Sequence, residues 1–236
     1  MTTLLAAYDL HAFYGAIHVL HGIGFEVKRG ETVALMGRNG MGKTTLLRSL
    51  MGLVRQRRGR ITLNDADISE VPTETIARRG VAFVPEGRGI FASLTVVENL
   101  TMAARAASDG RQDWSLARVF DLFPRLAERR HHWGNQLSGG EQQMLTIGRA
   151  LMTNPDLMLI DEAAEGLAPM VAQSIWQTLA TIRDGGVTTM VVDKDFRALS
   201  GLADRVLLMT KGELVFAGTP AELKSVPELL EKHLGV

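Results

Sequence analysis

The sequence predicts an α/β fold built on a mainly parallel sheet with helices on both faces. Three observations point there. Residues 32–36, 157–160 and 187–192 are short runs dominated by apolar side chains. A strand covered on both faces reads this way, because both alternating sets of side chains are buried. Helical stretches separate the runs, and parallel strands need such crossovers. A glycine-rich loop follows the first run and opens directly into a helical segment.

Taken in order, residues 17–27 carry Val19, Ile23, Phe25 and Val27 on one parity, the spacing of a half-buried strand. Lys28-Arg29-Gly30-Glu31 reads as a turn into the strand at 32–36. Residues 44–51 read as a helix stopped by Gly52. Short strands are expected at 61–63 and 81–84, with a helical turn at 76–79 between them and Pro85 ending the second. From 96 to about 126 the pattern is helical, broken at Ser108-Asp109-Gly110, and 89–155 reads as a helical insertion. The strand at 157–160 runs into Asp161-Glu162. A helix over 171–183 is closed by Gly185-Gly186. Runs 206–209 and 214–217 flank Thr210-Lys211-Gly212-Glu213, a hairpin signal. Residues 220–236 read as a helical tail. A single domain over 1–236 is expected, with the insertion inside it.

Composition narrows the function classes. Lys plus Arg number 26 and Asp plus Glu 26, so the formal net charge is zero. No basic field is present to favour nucleic acid, and no such partner is expected. The absence of cysteine excludes disulfides, thiolate metal sites and a cysteine nucleophile. No run approaches the ~20 apolar residues of a membrane span. The start shows no basic segment or cleavage site of a secretion signal, which leads to the expectation of a protein kept in the cytoplasm. Arg55, Arg57, Arg58 and Arg60 read as a solvated turn, His131-His132 as a loop, and Trp114, Trp133 and Trp176 as packing residues.

Gly37-Arg38-Asn39-Gly40-Met41-Gly42-Lys43-Thr44 fits G-x-x-x-x-G-K-[ST] between a strand and a helix. Glycines let backbone N–H groups turn inward around a phosphate chain. The helix N-terminus adds a positive dipole end. Lys43 is placed to reach β- and γ-phosphates, and the Thr44 hydroxyl to ligate Mg²⁺, with Thr45 beside it. Asp161 and Glu162 end a buried strand, where ligands of parallel sheets gather. Asp161 suits the water shell of Mg²⁺, and Glu162 suits orienting or deprotonating an attacking water.

Leu137-Ser138-Gly139-Gly140-Glu141-Gln142-Gln143 opens a helix, with Met144, Ile147, Gly148 and Leu151 following at helical spacing. The free N–H groups at such a start make a second anion site. This heptapeptide, together with the phosphate loop, resembles the signature of ATP-binding-cassette (ABC) ATPases over nearly the whole chain. The resemblance implies a nucleotide-binding core, an antiparallel N-terminal β-subdomain and a helical signature subdomain. It also implies a head-to-tail dimer with a second ABC ATPase subunit, identical or different, in which Ser138, Gly139 and Gly140 of one subunit close on ATP held by the other. Tyr14 stands where the family stacks an aromatic on adenine. Glu86 stands where most members carry a glutamine that touches Mg²⁺ and faces the membrane subunit.

Val84-Pro85-Glu86-Gly87-Arg88 and Glu165-Gly166-Leu167-Ala168-Pro169 resemble LivF-type subunits of branched-chain amino acid importers. Met36-Gly37-Arg38-Asn39-Gly40 continues that likeness and is also similar to urea-importer subunits. The implied partners are two membrane permeases and, indirectly, an extracytoplasmic solute-binding protein. The implied location is peripheral, at the cytoplasmic face of the inner membrane. The alternatives are a urea or amide importer ATPase, a soluble ABC ATPase, and a nucleotide-gated interaction subunit with weak catalysis. Two departures stand out. Ala163-Ala164 replace the family's Pro-Ser after the acidic pair. Lys194 stands where most members carry a switch histidine, and is a candidate to meet the γ-phosphate by charge.

Overall fold

In the computed structural model, which describes residues 2–235, the chain opens with two long antiparallel strands, β1 (Thr3–Tyr14) and β2 (Ile17–Lys28). β1 has no counterpart among the expected strands. Leu4, Leu5, Ala6 and Ala7 are buried in succession, and the β1–β2 register slips between Ala7 and Leu10. Asp9, inside that slip, has φ 47°. Alternation therefore never persists long enough to mark a strand.

The next strand, β3 (Thr32–Met36), leads through the glycine loop into α1 (Lys43–Leu50). The chain then returns as β4 (Gln56–Leu63) to pair with β1, and β5 (Ala66–Asp67) ends the first sheet, whose order is β2-β1-β4-β5. This corrects the turn expected for the arginine run: Arg57, Arg58 and Arg60 lie along β4. Pairing with β1 and β5 makes a strand of them. Arg57 donates to the carbonyls of Val54 and Ser69, Arg58 lies 5.7 Å from the Phe13 ring centre, and Arg60 pairs with Asp67 at 3.3 Å. Gly59 sits at φ 95° against the Asp9 backbone, where any Cβ would collide with it.

Beyond this sheet come α2 (Thr73–Arg78) and β6 (Val81–Val84). Four helices follow before the next strand: α3 (Val96–Thr101), α4 (Leu116–Leu122), α5 (Pro124–Glu128) and α6 (Gly139–Leu151). A capping box starts α3, with Thr95 accepting from the Glu98 N–H and Glu98 accepting from the Thr95 N–H at 2.7 Å. The chain continues as β7 (Leu157–Asp161), α7 (Pro169–Asp184), β8 (Thr188–Val192), α8 (Phe196–Leu202), β9 (Arg205–Thr210) and β10 (Glu213–Gly218). Two short helices, α9 (Pro220–Lys224) and α10 (Pro227–Leu234), occupy the segment expected to be a helical tail; residue 236 lies outside the described residues. Helix α8 was not marked by periodicity. Asp195 starts it by accepting from the N–H groups of Arg197 and Ala198.

The second sheet has the order β10-β9-β3-β8-β7-β6, parallel throughout except for the edge strand β10. Its two faces explain the unbroken apolar runs. Val33, Leu35, Leu157 and Leu159 face the first sheet and α1, while Ala34, Met158 and Ile160 face the helical side. Each fully buried Leu or Ile contributes about 2 kcal/mol by removal from water. The helical side also takes in Val96, Leu100, Val119 and Phe123 of the 89–155 segment, within which α3 and α5 pack on α6, and α6 packs on α7. Trp114 is buried there, whereas Trp133 is half exposed.

Parallel pairing has one consequence for everything that follows. Leu35 and Asp161 both register against Val192, so the C-terminal ends of β3, β7 and β8 open onto the same edge.

Candidate active site

At that edge lies a cleft of about 400 Å³ lined by Asn39, Gly40, Gly42, Lys43, Thr44 and Thr45 of the loop and by Glu86, Glu162 and Glu165, with Val19 at its side. The loop works through its backbone. Gly37 (φ 145°), Gly40 (φ 78°) and Gly42 (φ 101°) hold conformations that L side chains rarely adopt. A Cβ on Gly37 would collide with the carbonyl oxygen of Met209 on β9. Two loop side chains turn away from the cleft. Met41 packs its sulfur on Thr210 and Lys211, and Arg38 lines a separate hollow against α10. Any part that Arg38 and Met41 play toward a phosphate is therefore a backbone part.

Lys43 is only 5% exposed. Its ammonium donates to the carbonyls of Gly37 (2.7 Å) and Arg38 (3.0 Å). Burial lowers its pKa, and the carboxylates of Glu162 and Asp161 oppose the shift. Thr44 Oγ1 donates to Asp161 Oδ1 at 3.2 Å. Asp161 Oδ2 is buried with no partner among the described residues. Burial raises the Asp161 pKa, with Thr44 opposing it. An orphaned carboxylate oxygen beside a threonine hydroxyl suits a hard divalent cation, directly or through a water. Glu86, Glu162 and Glu165 each bring a carboxylate oxygen within 4.8 Å of the others, so the local charge also suits Mg²⁺.

Glu162 leaves β7 with φ 51°, and its N–H donates to the Val192 carbonyl at 3.0 Å. This left-handed turn carries the chain out of the sheet at the cleft. A hydrogen bond to Glu165, burial and the Glu165 charge together raise the Glu162 pKa to about 7. Glu165 moves the opposite way, lowered by its hydrogen bonds with Glu162 and Lys194. The sequence marks Glu165 only through a family likeness. The available signal was its spacing, three residues after Glu162 in a loop leaving a strand end.

Several expected site residues lie away from this cleft. Lys194 does not line it; its ammonium holds Glu165 Oε1 at 3.0 Å, and its side chain is 64% exposed. Tyr14 is 46% exposed at the end of β1 and does not line it either. Ser138, Gly139 and Gly140 also stand apart. Ser138 caps α6, with Glu141 accepting from the Ser138 N–H at 2.8 Å. Gly140 lies so close to Val171 of α7 that a Cβ would collide with its side chain. Arg88 stacks its guanidinium over Gly139, a neighbour the sequence did not suggest. Asp193 is buried and accepts from the N–H groups of Lys194 and Asp195, which fixes the loop after β8.

A second cavity, about 230 Å³, lies near Arg29, Arg111 and Asp156. Its charges already satisfy one another: Arg111 and Arg29 meet Asp156 at 2.7 and 3.6 Å. It is a junction between segments and offers no unpaired chemistry.

Comparison with known proteins agrees with this geometry. The ABC transporter family profile matches residues 20–165. The chain is 40% identical over 232 residues to the high-affinity branched-chain amino acid transport ATP-binding protein BraG of Pseudomonas aeruginosa, covering 98% of this chain and 100% of that one. It is 31% identical over 233 residues to the lipopolysaccharide export system ATP-binding protein LptB of Escherichia coli, covering 98% and 97%. A nucleotide-free ATP-binding cassette from an ABC transporter shares the fold, with a TM-score of 0.83 at 22% identity over 96% of each chain. The chain belongs to the ABC transporter family as an ATP-binding subunit, and its activity is ATP hydrolysis.

Proposed function

We propose that this chain energises an importer of branched-chain amino acids. In this reading it pairs head to tail with a second ABC ATPase subunit at the cytoplasmic face of the inner membrane, beneath two permeases fed by an extracytoplasmic solute-binding protein. One observation carries the pairing. The phosphate cleft and the capped α6 N-terminus sit apart in one chain, so the second anion site serves nucleotide only when another subunit presents it. The solute rests on the 40% identity to BraG, against 31% to LptB. Among the described residues no helix is long and apolar enough to cross a membrane, which suits a peripheral subunit.

The chain's residues divide the work as follows. Lys43 exchanges its two carbonyl acceptors for phosphate oxygens. Thr44, Asp161 and Glu86 are the residues that would hold Mg²⁺, whose chemistry is to neutralise phosphate charge. Glu162 accepts the proton of the attacking water, so it acts in its ionised form. Lys194 is a positioning residue: it keeps Glu165 ionised and in place, and Glu165 in turn sets the charge of Glu162.

The sign of the pH dependence follows. With Glu162 raised to about 7, turnover is expected to fall as pH drops through neutrality. Glu165→Gln removes the negative neighbour and presents an amide donor to the ionised form. Both changes favour ionised Glu162, so the acidic limb of the pH–rate profile should move to lower pH by about one unit. An unmoved limb would uncouple Glu165 from Glu162.

The membrane subunit is placed on the groove between core and helical insertion, near Glu86, Arg88, Ile90 and Phe91, with 89–155 acting as the unit that moves. Ile90 packs on the core, but Phe91 is 47% exposed, as a docking anchor should be. Cells lacking the chain are expected to lose high-affinity leucine uptake and keep urea uptake. Complementation with Phe91→Ala should restore roughly a tenth of wild-type uptake or less, the effect of losing about 1.4 kcal/mol or more of docking energy. Its ATP affinity should be unchanged. Full leucine uptake without the chain would remove the solute assignment.

A further inference from the structure

A methionine sulfur ties the phosphate loop to the hairpin at the far end of the chain. Met41 Sδ accepts from the Lys211 N–H at 3.2 Å and lies 3.7 Å from the donating Thr210 hydroxyl. The Met41 carbonyl accepts from the Gly212 N–H at 3.0 Å. Residue 41 therefore holds the turn between β9 and β10 by side chain and backbone together. The methionines on either side of it in space, Met36 and Met209, are fully buried, whereas Met41 is partly exposed. It lines a hollow of about 380 Å³ together with Thr210, Arg38, Lys211, Lys232 and His233. Arg38, Lys211 and Lys232 are exposed, so small solutes reach the sulfur, and among the described residues no carboxylate lines the hollow. A thioether is a soft nucleophile, and a two-electron oxidant that reaches it makes a polar sulfoxide.

We propose that Met41 is an oxidation site, and that a peroxide acting there weakens the grip of the phosphate loop on ATP. The step is an oxygen-atom transfer. A sulfur lone pair attacks one oxygen of hydrogen peroxide, the O–O bond breaks and an S–O bond forms. The displaced hydroxide takes the proton from the transferred oxygen and leaves as water, so sulfur loses two electrons and the peroxide gains them. The new oxygen carries partial negative charge, which the cations around the hollow favour. It also occupies a lone-pair direction that the hairpin turn now uses. With only 3.2 Å between sulfur and the Lys211 nitrogen, an S–O bond followed by a hydrogen bond does not fit. Either the turn moves away or the Met41 side chain swings into the hollow, and both release the tether. The loop binds through backbone N–H groups already set around the phosphates, so releasing it costs affinity. The inference rests on Gly37–Thr44 being the phosphate loop and is independent of the transported solute.

The test treats the purified full chain with hydrogen peroxide, maps sulfoxide at each methionine by peptide mass spectrometry and titrates ATP binding on the same samples. Met41 is expected to oxidise along with the exposed Met102 and Met170, while Met36 and Met209 stay reduced. ATP affinity should fall roughly fivefold to tenfold, the worth of one or two hydrogen bonds, in a fraction of molecules equal to the fraction oxidised at Met41. Methionine sulfoxide reductases of both stereospecificities should restore it. Met41→Leu has no sulfur to oxidise, so its ATP affinity should be the same before and after peroxide. Met102→Leu and Met170→Leu should keep the parental response. If Met41→Leu binds ATP too weakly to titrate, reductase treatment of the oxidised parent decides in its place. Three results would each overturn the proposal: Met41 staying reduced while Met102 and Met170 oxidise, full oxidation of Met41 with unchanged ATP affinity, or a loss of affinity that survives in Met41→Leu or resists the reductases. The phosphate-loop reading fails separately, through a folded Lys43→Ala that binds ATP as the parent does.

Discussion

Lys43→Ala is expected to abolish ATP binding at concentrations that saturate the parent. Among the described residues the ammonium is the one cationic side chain lining the cleft, and it is buried there. Losing a buried charge-assisted contact to phosphate costs about 3–5 kcal/mol, on the order of a thousandfold in affinity. Truncation also removes the donor that satisfies the Gly37 and Arg38 carbonyls, and the positive charge that steadies Asp161 and Glu162. Titration with a fluorescent ATP analogue, alongside circular dichroism to confirm folding, reads the effect. A folded variant with parental affinity would refute the phosphate-loop assignment.

Glu162→Gln should bind ATP as the parent does and lose turnover by about 10²–10⁴-fold, the range for removing a general base. The amide keeps the shape and can still donate to Glu165, so the left-handed turn at φ 51° and the cleft should persist. It cannot accept a proton at neutral pH. ATP held without hydrolysis should then lock the paired form, visible as a shift in elution volume on addition of ATP and Mg²⁺. Parental hydrolysis by this variant would mean that another carboxylate acts, with Glu165 the first to substitute next.

What the sequence offers for reading these residues is local pattern. The phosphate loop is eight consecutive residues whose glycines have a conformational meaning of their own. The acidic pair is marked by the apolar strand that precedes it. Ser138 and the two glycines after it announce a helix start, and Ser138 caps that helix in the structure. The strands at 32–36, 81–84 and 157–160 were legible because near-full burial on both faces leaves a composition that needs no partner to interpret.

Sequence alone determined the class of protein, through a phosphate-loop motif, an acidic pair at a strand end and a serine-capped helix start. Tertiary structure decided what depends on distant pairs. β1 and the arginine strand β4 exist through each other, joined by pairings such as Leu5 with Leu63, and neither carries a clean period. Lys194 finds Glu165 across 29 residues, a contact its own sequence neighbourhood does not announce. Arg149 reaches the Gly89 carbonyl across 60 residues, and its other terminal nitrogen is buried without an acceptor among the described residues. A periodic pattern records how one segment meets a uniform interior. It holds no record of which particular side chain arrives from the other end of the chain, because that is set by the sheet order and the crossovers that bring strand ends together.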